Sequence, residues 1–218
     1  MDLAVRGGGR LRAGKVIGVV GNYAGHRAEM HAPATPELGF FLKATSALLP
    51  DGGTIVLPPG VGRVEHEVEL AVVIGTRCQR VRPEHALEHV FGYAVVLDVT
   101  ARDLQAQAKK LGQPWDEAKG FDTFAPVSAI ARRFEVEDPH DLDISLRING
   151  QLRQQGNTKQ MLHQVPDVIA RLSRSMTLEH GDVIATGTPE GVGPLAAGDV
   201  VEAEIARVGK LRCKVAQG

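Results

Sequence analysis

The sequence predicts an α+β fold made mainly of sheet. Its β-branched runs are short and closed by Gly or Pro, Asn149-Gly150 between two alternating segments is a strong hairpin signal, and no regular βαβ alternation is present. With 25 Gly, 12 Pro and only 4% aromatic residues, the composition suits short strands joined by tight turns. At 218 residues there is room for one well-buried domain and too little for two.

Residues 1–14 read as a Gly-rich leader, either covering a sheet edge or extending from something before it, and 15–218 as the single domain. Lys15–Val20 is the first expected strand, stopped by Gly21-Asn22, and Ala24–His31 suits a short helix followed by a loop at Pro33 and Pro36. Thr54–Leu57 reads as a short strand ended by Pro58-Pro59. Glu67–Ile74, EVELAVVI closed by Gly75, is the clearest strand, and Tyr93–Val99 is a second buried one. Thr100 with Asp103 three residues on resembles a capping box for a helix over Ala101–Leu111, which Lys109, Lys110 and Gly112 would end. Ile144–Ile148 and Gln151–Gln155 flank the hairpin turn, and Val165, Val168, Ile169 and Leu172 form one apolar helical stripe. Gly181-Asp182-Val183 and Gly198-Asp199-Val200 open two later strands, the second running into a hairpin around Gly209.

Charge excludes some functions. Twenty-five basic against 26 acidic side chains give a net charge of −1, which offers nucleic acid or an anionic membrane no electrostatic footing. The longest apolar runs are five residues, such as Leu70–Ile74, far short of the roughly 20 a bilayer span needs. The first 14 residues contain no apolar signal core, and Cys78 and Cys213 match neither a zinc motif nor a disulfide framework, so a cytoplasmic location is expected.

Three carboxylates carry the functional reading. Side chains alternate along a strand, so Glu67 and Glu69 share a face, and that face continues with Ala71 and Val73 rather than with polar residues. Asp98 stands at the end of another apolar run, YAVVLD. A Glu-x-Glu pair alone is more often a solvated strand edge, but three acids entering buried ground need a positive charge among them. Oxygen ligands of this kind favour Mg²⁺ or Mn²⁺, and no cysteine pair or HxxxH spacing favours zinc. His26 and Glu29 sit three apart on the first helix, where the acid can orient the imidazole for proton transfer; alone they would pass as a surface ion pair. Lys119, in a Gly-flanked loop, could neutralise a developing anion. Lys43, set among bulky apolar residues in FFLKATSA, should meet a carboxylate or a substrate. The turn-rich Thr186–Gly193 could grip a carboxylate through its backbone N–H groups and Thr188.

Seven segments occur together in one order: GNYAGHRAEM (21–30), FFLKATSAL (40–48), HEVELAVVIG (66–75), GYAVVLDVTARDLQ (92–105), GQPWDEAKGFDTFAP (112–126), NGQLRQQGNT (149–158) and GDVIATGTPEGVGPL (181–195). In these the sequence resembles the fumarylacetoacetate hydrolase family, in its short single-domain acylpyruvate hydrolase and oxaloacetate decarboxylase-like form. The resemblance implies a mixed β-sheet roll of that family's C-terminal-domain type with few short helices, acting as a homodimer. It implies Glu67, Glu69 and Asp98 as ligands of one Mg²⁺ or Mn²⁺, His26 and Glu29 as the water-activating dyad, and Lys119 facing substrate oxygens. It also implies Arg102, Gln105 and Thr188 as substrate contacts. The expected reaction is hydrolysis of the C3–C4 bond of acylpyruvates such as acetylpyruvate or fumarylpyruvate through a metal-stabilised pyruvate enolate. Alternatives at the same site are oxaloacetate decarboxylation and hydration or isomerisation of an unsaturated 2-oxo acid. A metal-dependent nuclease fits the net charge poorly, and a non-catalytic 2-oxo acid sensor would have little use for an intact dyad.

Overall fold

The computed structural model describes residues 1–31 and 37–218. The chain opens with a hairpin of β1 (Asp2–Ala4) and β2 (Arg10–Arg12), followed by β3 (Val16–Val19) and helix α1 (Ala24–Glu29). Then come β4 (Phe40–Lys43), β5 (Leu48–Pro50), β6 (Thr54–Leu57), β7 (Val64–His66) and β8 (Val68–Ile74), with Glu67 alone between the last two. Helix α2 (Pro83–Ala86) leads to β9 (Val90–Leu97), the two-residue β10 (Thr100–Ala101), α3 (Arg102–Leu111) and the single turn α4 (Asp116–Lys119). The remainder is β11 (Ala125–Val127), β12 (Ala131–Arg132), β13 (Asp143–Ile148), β14 (Gln151–Asn157), α5 (Val165–Ser175), β15 (Val183–Ala185), β16 (Gly193–Pro194), β17 (Val200–Ile205) and β18 (Gly209–Gln217).

The large sheet runs β4-β3-β15-β8-β9-β11-β5, with β12 added to β9, and the second runs β14-β13-β17-β18-β6. Pairing is mixed: β15 lies parallel to β3, β11 to β5 and β18 to β6, while β8 and β9 are antiparallel. This is the mainly-β, mixed-sheet architecture with few short helices that the sequence predicts. β7 bridges β10 and β16 in a small third sheet, so Glu67 lies where the chain passes from one sheet to the next.

The alternation in β8 divides the interior. Val68, Leu70, Val72 and Ile74 enter the main core, and Ala71 and Val73 enter a second cluster with Ala94, Val96, Val183 and Ala185. Leu3, Val5, Leu11 and Ala13 belong to that second cluster, so the leader hairpin packs its apolar face into the interior. At roughly 1.5–3 kcal/mol for each large apolar side chain, that burial is enough to hold the hairpin down. Asn149 and Gly150 both have positive φ, 52° and 79°, in the expected turn between β13 and β14. The apolar stripe of α5 is buried as expected.

Three local expectations are corrected. Helix α1 stops at Glu29 with Met30 as its C-cap, short of His31, and the loop expected at Pro33 and Pro36 lies outside the described residues. Thr100 does not cap α3. It is held extended opposite Glu65, its hydroxyl donates to the Asp98 carbonyl (2.9 Å), and the helix starts after Ala101 with no side-chain cap. Asp103 instead accepts the Arg63 N–H at 2.8 Å. Lys119 is not in a loop but ends α4, which packs it inward.

Gly92 permits the close approach of β12 to β9: a Cβ there would lie 2.1 Å from the Ala131 carbonyl oxygen. Gly92→Ala should therefore cost about 2–3 kcal/mol, read as a lowered urea midpoint at unchanged slope.

Candidate active site

Strand ends and one tight loop bring the acids together. Glu67 and Glu69 come from the β7–β8 junction, and Asp98 from the end of β9, whose Leu97 pairs with Val68. All three are buried, 4%, 2% and 2% exposed, and they offer oxygens within 4.8 Å of one another. That separation and an all-oxygen donor set suit a hard divalent cation.

Cations surround the acids on most sides. Lys119 Nζ donates to Glu67 Oε2 (3.0 Å) and Asp98 Oδ2 (2.5 Å). Lys43 Nζ donates to Asp98 Oδ1 (2.6 Å) and the Val99 carbonyl (3.1 Å), so the carboxylate partner expected for it is Asp98. Arg102 donates to Glu67 Oε1, to Glu65 Oε2 (2.6 Å) and to Gln105 Oε1 (2.7 Å). The half-exposed Arg63 closes the outer side of Glu65 at 3.1 Å.

Glu69 is the exception. It accepts the Gly187 N–H at 2.6 Å, and among the described residues it has no ion-pair partner. Burial and then the charges of Asp98 and Glu67 push its carboxyl well above the usual range. Burial acts in the same direction on Glu67, but Lys119 and Arg102 overcome it and hold that carboxyl well below its ordinary value. Burial lowers Lys119, and Asp98 and Glu67 more than restore it, so its ammonium persists. Among the described residues, the buried groups of the site thus comprise four acids (Glu65, Glu67, Glu69, Asp98) against three cations (Lys43, Arg102, Lys119), one acid more than the cations match. The unmatched acid is Glu69, whose surroundings favour its protonated form, and a divalent cation held there in place of that proton would turn the site positive and receptive to an anion.

His26, with Glu29 beside it, faces the same space. His26 Nδ1 lies 3.3 Å from Glu29 Oε2, and Nε2 lies 4.0 Å from Glu67 Oε1. Glu29 is fixed in turn by the Gly191 N–H at 3.1 Å. His26, the three acids, Arg102, Gln105, Lys119 and Thr188 line one cavity of about 60 Å³, and Lys43 lies behind Asp98 outside its wall. The Thr188 hydroxyl is already engaged, donating to the Val68 carbonyl (2.8 Å) and accepting from Gln154 Nε2 (2.8 Å).

Sequence reasoning passed over several contributors. Glu65 extends the alternation of Glu67 and Glu69 by one more step, a signal that was present. Phe41, Lys109 and Trp115 line the cavity, with the Lys109 ammonium 4.9 Å from the Trp115 ring centre, and nothing local in the sequence points to them. Gln154 carries no local signal, whereas the Gly187 and Gly191 amides, which hold the Glu69 and Glu29 carboxylates, belong to the turn-rich loop whose N–H groups the sequence offers to a carboxylate.

Fold and site together define a buried carboxylate cluster that could hold a divalent cation, set on a mixed-sheet roll. Residues 15–216 match the fumarylacetoacetate (FAA) hydrolase C-terminal family model, and the chain belongs to that family. It is 45% identical over 203 residues to the mitochondrial oxaloacetate tautomerase of Bos taurus, covering 93% of this chain and 92% of that one. The fumarylpyruvate hydrolase of Pseudomonas aeruginosa, solved in complex with Mn²⁺ and pyruvate, superimposes with a TM-score of 0.95 at 34% identity, covering 100% and 96% of the two chains. The 5-carboxymethyl-2-hydroxymuconate delta-isomerase of Mycobacterium smegmatis gives 0.86 at 41% identity, covering 96% and 81%.

Proposed function

We propose that this chain is a Mg²⁺- or Mn²⁺-dependent enzyme that forms and quenches the enolate of small 2-oxo acids. Oxaloacetate is its first substrate and acylpyruvates its second. The observation that carries the reading is the single unbalanced carboxylate, Glu69, buried beside Glu67 and Asp98 and facing a histidine–glutamate dyad. In this reading Glu67, Glu69 and Asp98 hold the cation. When bound, the cation supplies Lewis acidity, polarising the 2-oxo group and taking up charge as the enolate develops. The Lys119 ammonium stands beside the same oxygen and favours the anionic form through a fixed charge in a dry site.

His26, oriented by Glu29, moves the proton. With oxaloacetate it takes a proton from C3, and return of a proton to the oxygen gives the enol, with no bond broken between carbons. With an acylpyruvate it takes a proton from water as the oxygen attacks C4. The C3–C4 bond then breaks, leaving a carboxylic acid and an enolate that is protonated at C3 to pyruvate. Arg102 and Gln105 orient the substrate, and the Thr188 backbone N–H receives its carboxylate, since the Thr188 hydroxyl and the Thr186, Gly187 and Gly191 N–H groups are committed elsewhere.

Acylpyruvate hydrolysis stands first from the sequence. The 45% identity to an oxaloacetate tautomerase against 34% to a fumarylpyruvate hydrolase moves oxaloacetate ahead. The dyad keeps hydrolysis as the second reading. The test is a panel of oxaloacetate, acetylpyruvate and fumarylpyruvate with Mg²⁺ or Mn²⁺ and with EDTA, following the enol absorbance and CO₂ release. EDTA-sensitive loss or gain of the enol band is expected, and no metal-dependent turnover of any 2-oxo acid would overturn the proposal. His26→Ala should cut both acylpyruvate hydrolysis and oxaloacetate enolisation by about 10²–10⁴-fold while lowering CO₂ release from oxaloacetate far less, because decarboxylation needs neither activated water nor a base at C3. Equal losses in all three reactions would remove the dyad from its role.

A further inference from the structure

The loop that follows β15 touches both halves of the site: its Gly187 N–H holds Glu69 and its Gly191 N–H holds Glu29. Between those two contacts the loop is fastened by one side chain from the other large sheet. Gln154 of β14 is 1% exposed, although its neighbours Leu152, Arg153 and Gln155 are exposed. The pairing of β13 with β14 shifts register there: Leu146 faces Gln154 and Arg147 faces Leu152, leaving Arg153 as an extra residue. Such a bulge turns the next side chain inward. The loop lies directly over this strand, since a Cβ on Gly191 would meet the Arg153 carbonyl oxygen at 2.3 Å.

Every hydrogen-bonding position of the Gln154 amide is used. Nε2 donates to Thr188 Oγ1 (2.8 Å) and the Pro189 carbonyl (2.9 Å), both in the loop. Oε1 accepts the Val68 N–H (3.1 Å) and a hydrogen bond from His66 Nδ1 (2.9 Å), both on the strands that carry the acids. Because a backbone N–H identifies Oε1 as the acceptor, His66 must present Nδ1–H to it. One amide therefore ties the acid-bearing strands to the loop that grips Glu69 and Glu29.

We propose that Gln154 is a positioning residue that keeps the cation ligands and the proton-transfer dyad in register through this loop. Its consequence for catalysis rests on the function proposed above. Gln154→Met keeps the length and removes all four hydrogen bonds. Gln154→Glu keeps the acceptor toward Val68 and His66 and loses the donors toward the loop.

The expected result in both is a Mn²⁺ affinity lowered by about tenfold or more in calorimetry, the size typical of residues that hold metal ligands. Faster hydrogen exchange at Gly187 and Gly191 should accompany it, with kcat down by about 10–100-fold at nearly unchanged KM. Gln155→Met, on the exposed neighbour, should change none of these. Wild-type Mn²⁺ affinity and wild-type amide exchange in either folded variant would overturn the proposal, and Gln154→Glu serves if Gln154→Met does not fold. If the wild type turns over no 2-oxo acid, the functional reading fails, and the affinity and exchange measurements still decide the role of Gln154.

Discussion

Glu69→Gln is expected to abolish high-affinity divalent-cation binding and to lower turnover by at least about a thousandfold, roughly 4 kcal/mol of transition-state stabilisation. It should nevertheless leave the metal-free protein at least as stable as wild type. Glutamine can still accept the Gly187 N–H, and it removes the one buried carboxylate that has no cation beside it among the described residues. Relief of such a charge is worth on the order of 1 kcal/mol or more. Burial, Asp98 and Glu67 raise the Glu69 carboxyl above its unfolded value, so its proton stabilises the fold fully at low pH. That contribution is lost as pH rises through the folded-state value. Thermal midpoints of metal-free wild type should therefore fall relative to Glu69→Gln as pH rises above the ordinary carboxylate range, and the two should converge under acid. A variant less stable than wild type at pH 8 without metal would count against an unbalanced charge at this position.

Lys119→Met should act in the opposite sense on stability. It removes a buried cation shared by Glu67 and Asp98, taking the excess of buried carboxylates from one to two. Stranding buried charges in this way costs about 3–5 kcal/mol. Burial lowers the Lys119 ammonium and the two acids raise it above its ordinary value, so its contribution is complete below that value and is lost only at strongly alkaline pH. The penalty should be flat across neutral pH. Mg²⁺ or Mn²⁺ should restore part of it, about 2.7 kcal/mol at a hundredfold excess over the dissociation constant. Turnover should stay low even with metal present, because the charge beside the substrate oxygen is gone. Urea midpoints with and without Mn²⁺ measure both effects. A loss that Mn²⁺ does not relieve would show that the cation and the lysine answer different charges.

Much of this was legible in the residues because it follows from periodicity and charge. The two-residue repeat that runs into β8 places Glu67 and Glu69 on the face shared by Ala71 and Val73, and the fold buries Ala71 and Val73 in the cluster that the leader hairpin joins. Asn149-Gly150 specifies its turn through positive φ, a purely local demand. The misread features are those that long-range pairing decides. Thr100 has cap chemistry, yet pairing with Glu65 holds it extended and the Asp98 carbonyl takes its hydroxyl. Thr188 reads as a free hydroxyl in a turn, but Gln154, 34 residues away, occupies it. Gln154 stands in a polar stretch, and only the bulge beside it turns it inward. Strands of two or three residues such as β7, β10 and β16 are too short for an alternation to show, and the third sheet depends on them.

The claim on which the rest depends is that one carboxyl more than the neighbouring cations can match is buried where three acids converge. The direct test is calorimetric titration of Mn²⁺ into metal-free wild type and Glu69→Gln at neutral pH, with thermal midpoints read in parallel. The account predicts one saturable site per chain in wild type with a rise in midpoint, and neither in the variant. Saturable binding of equal strength in both proteins, or none in either, would contradict it.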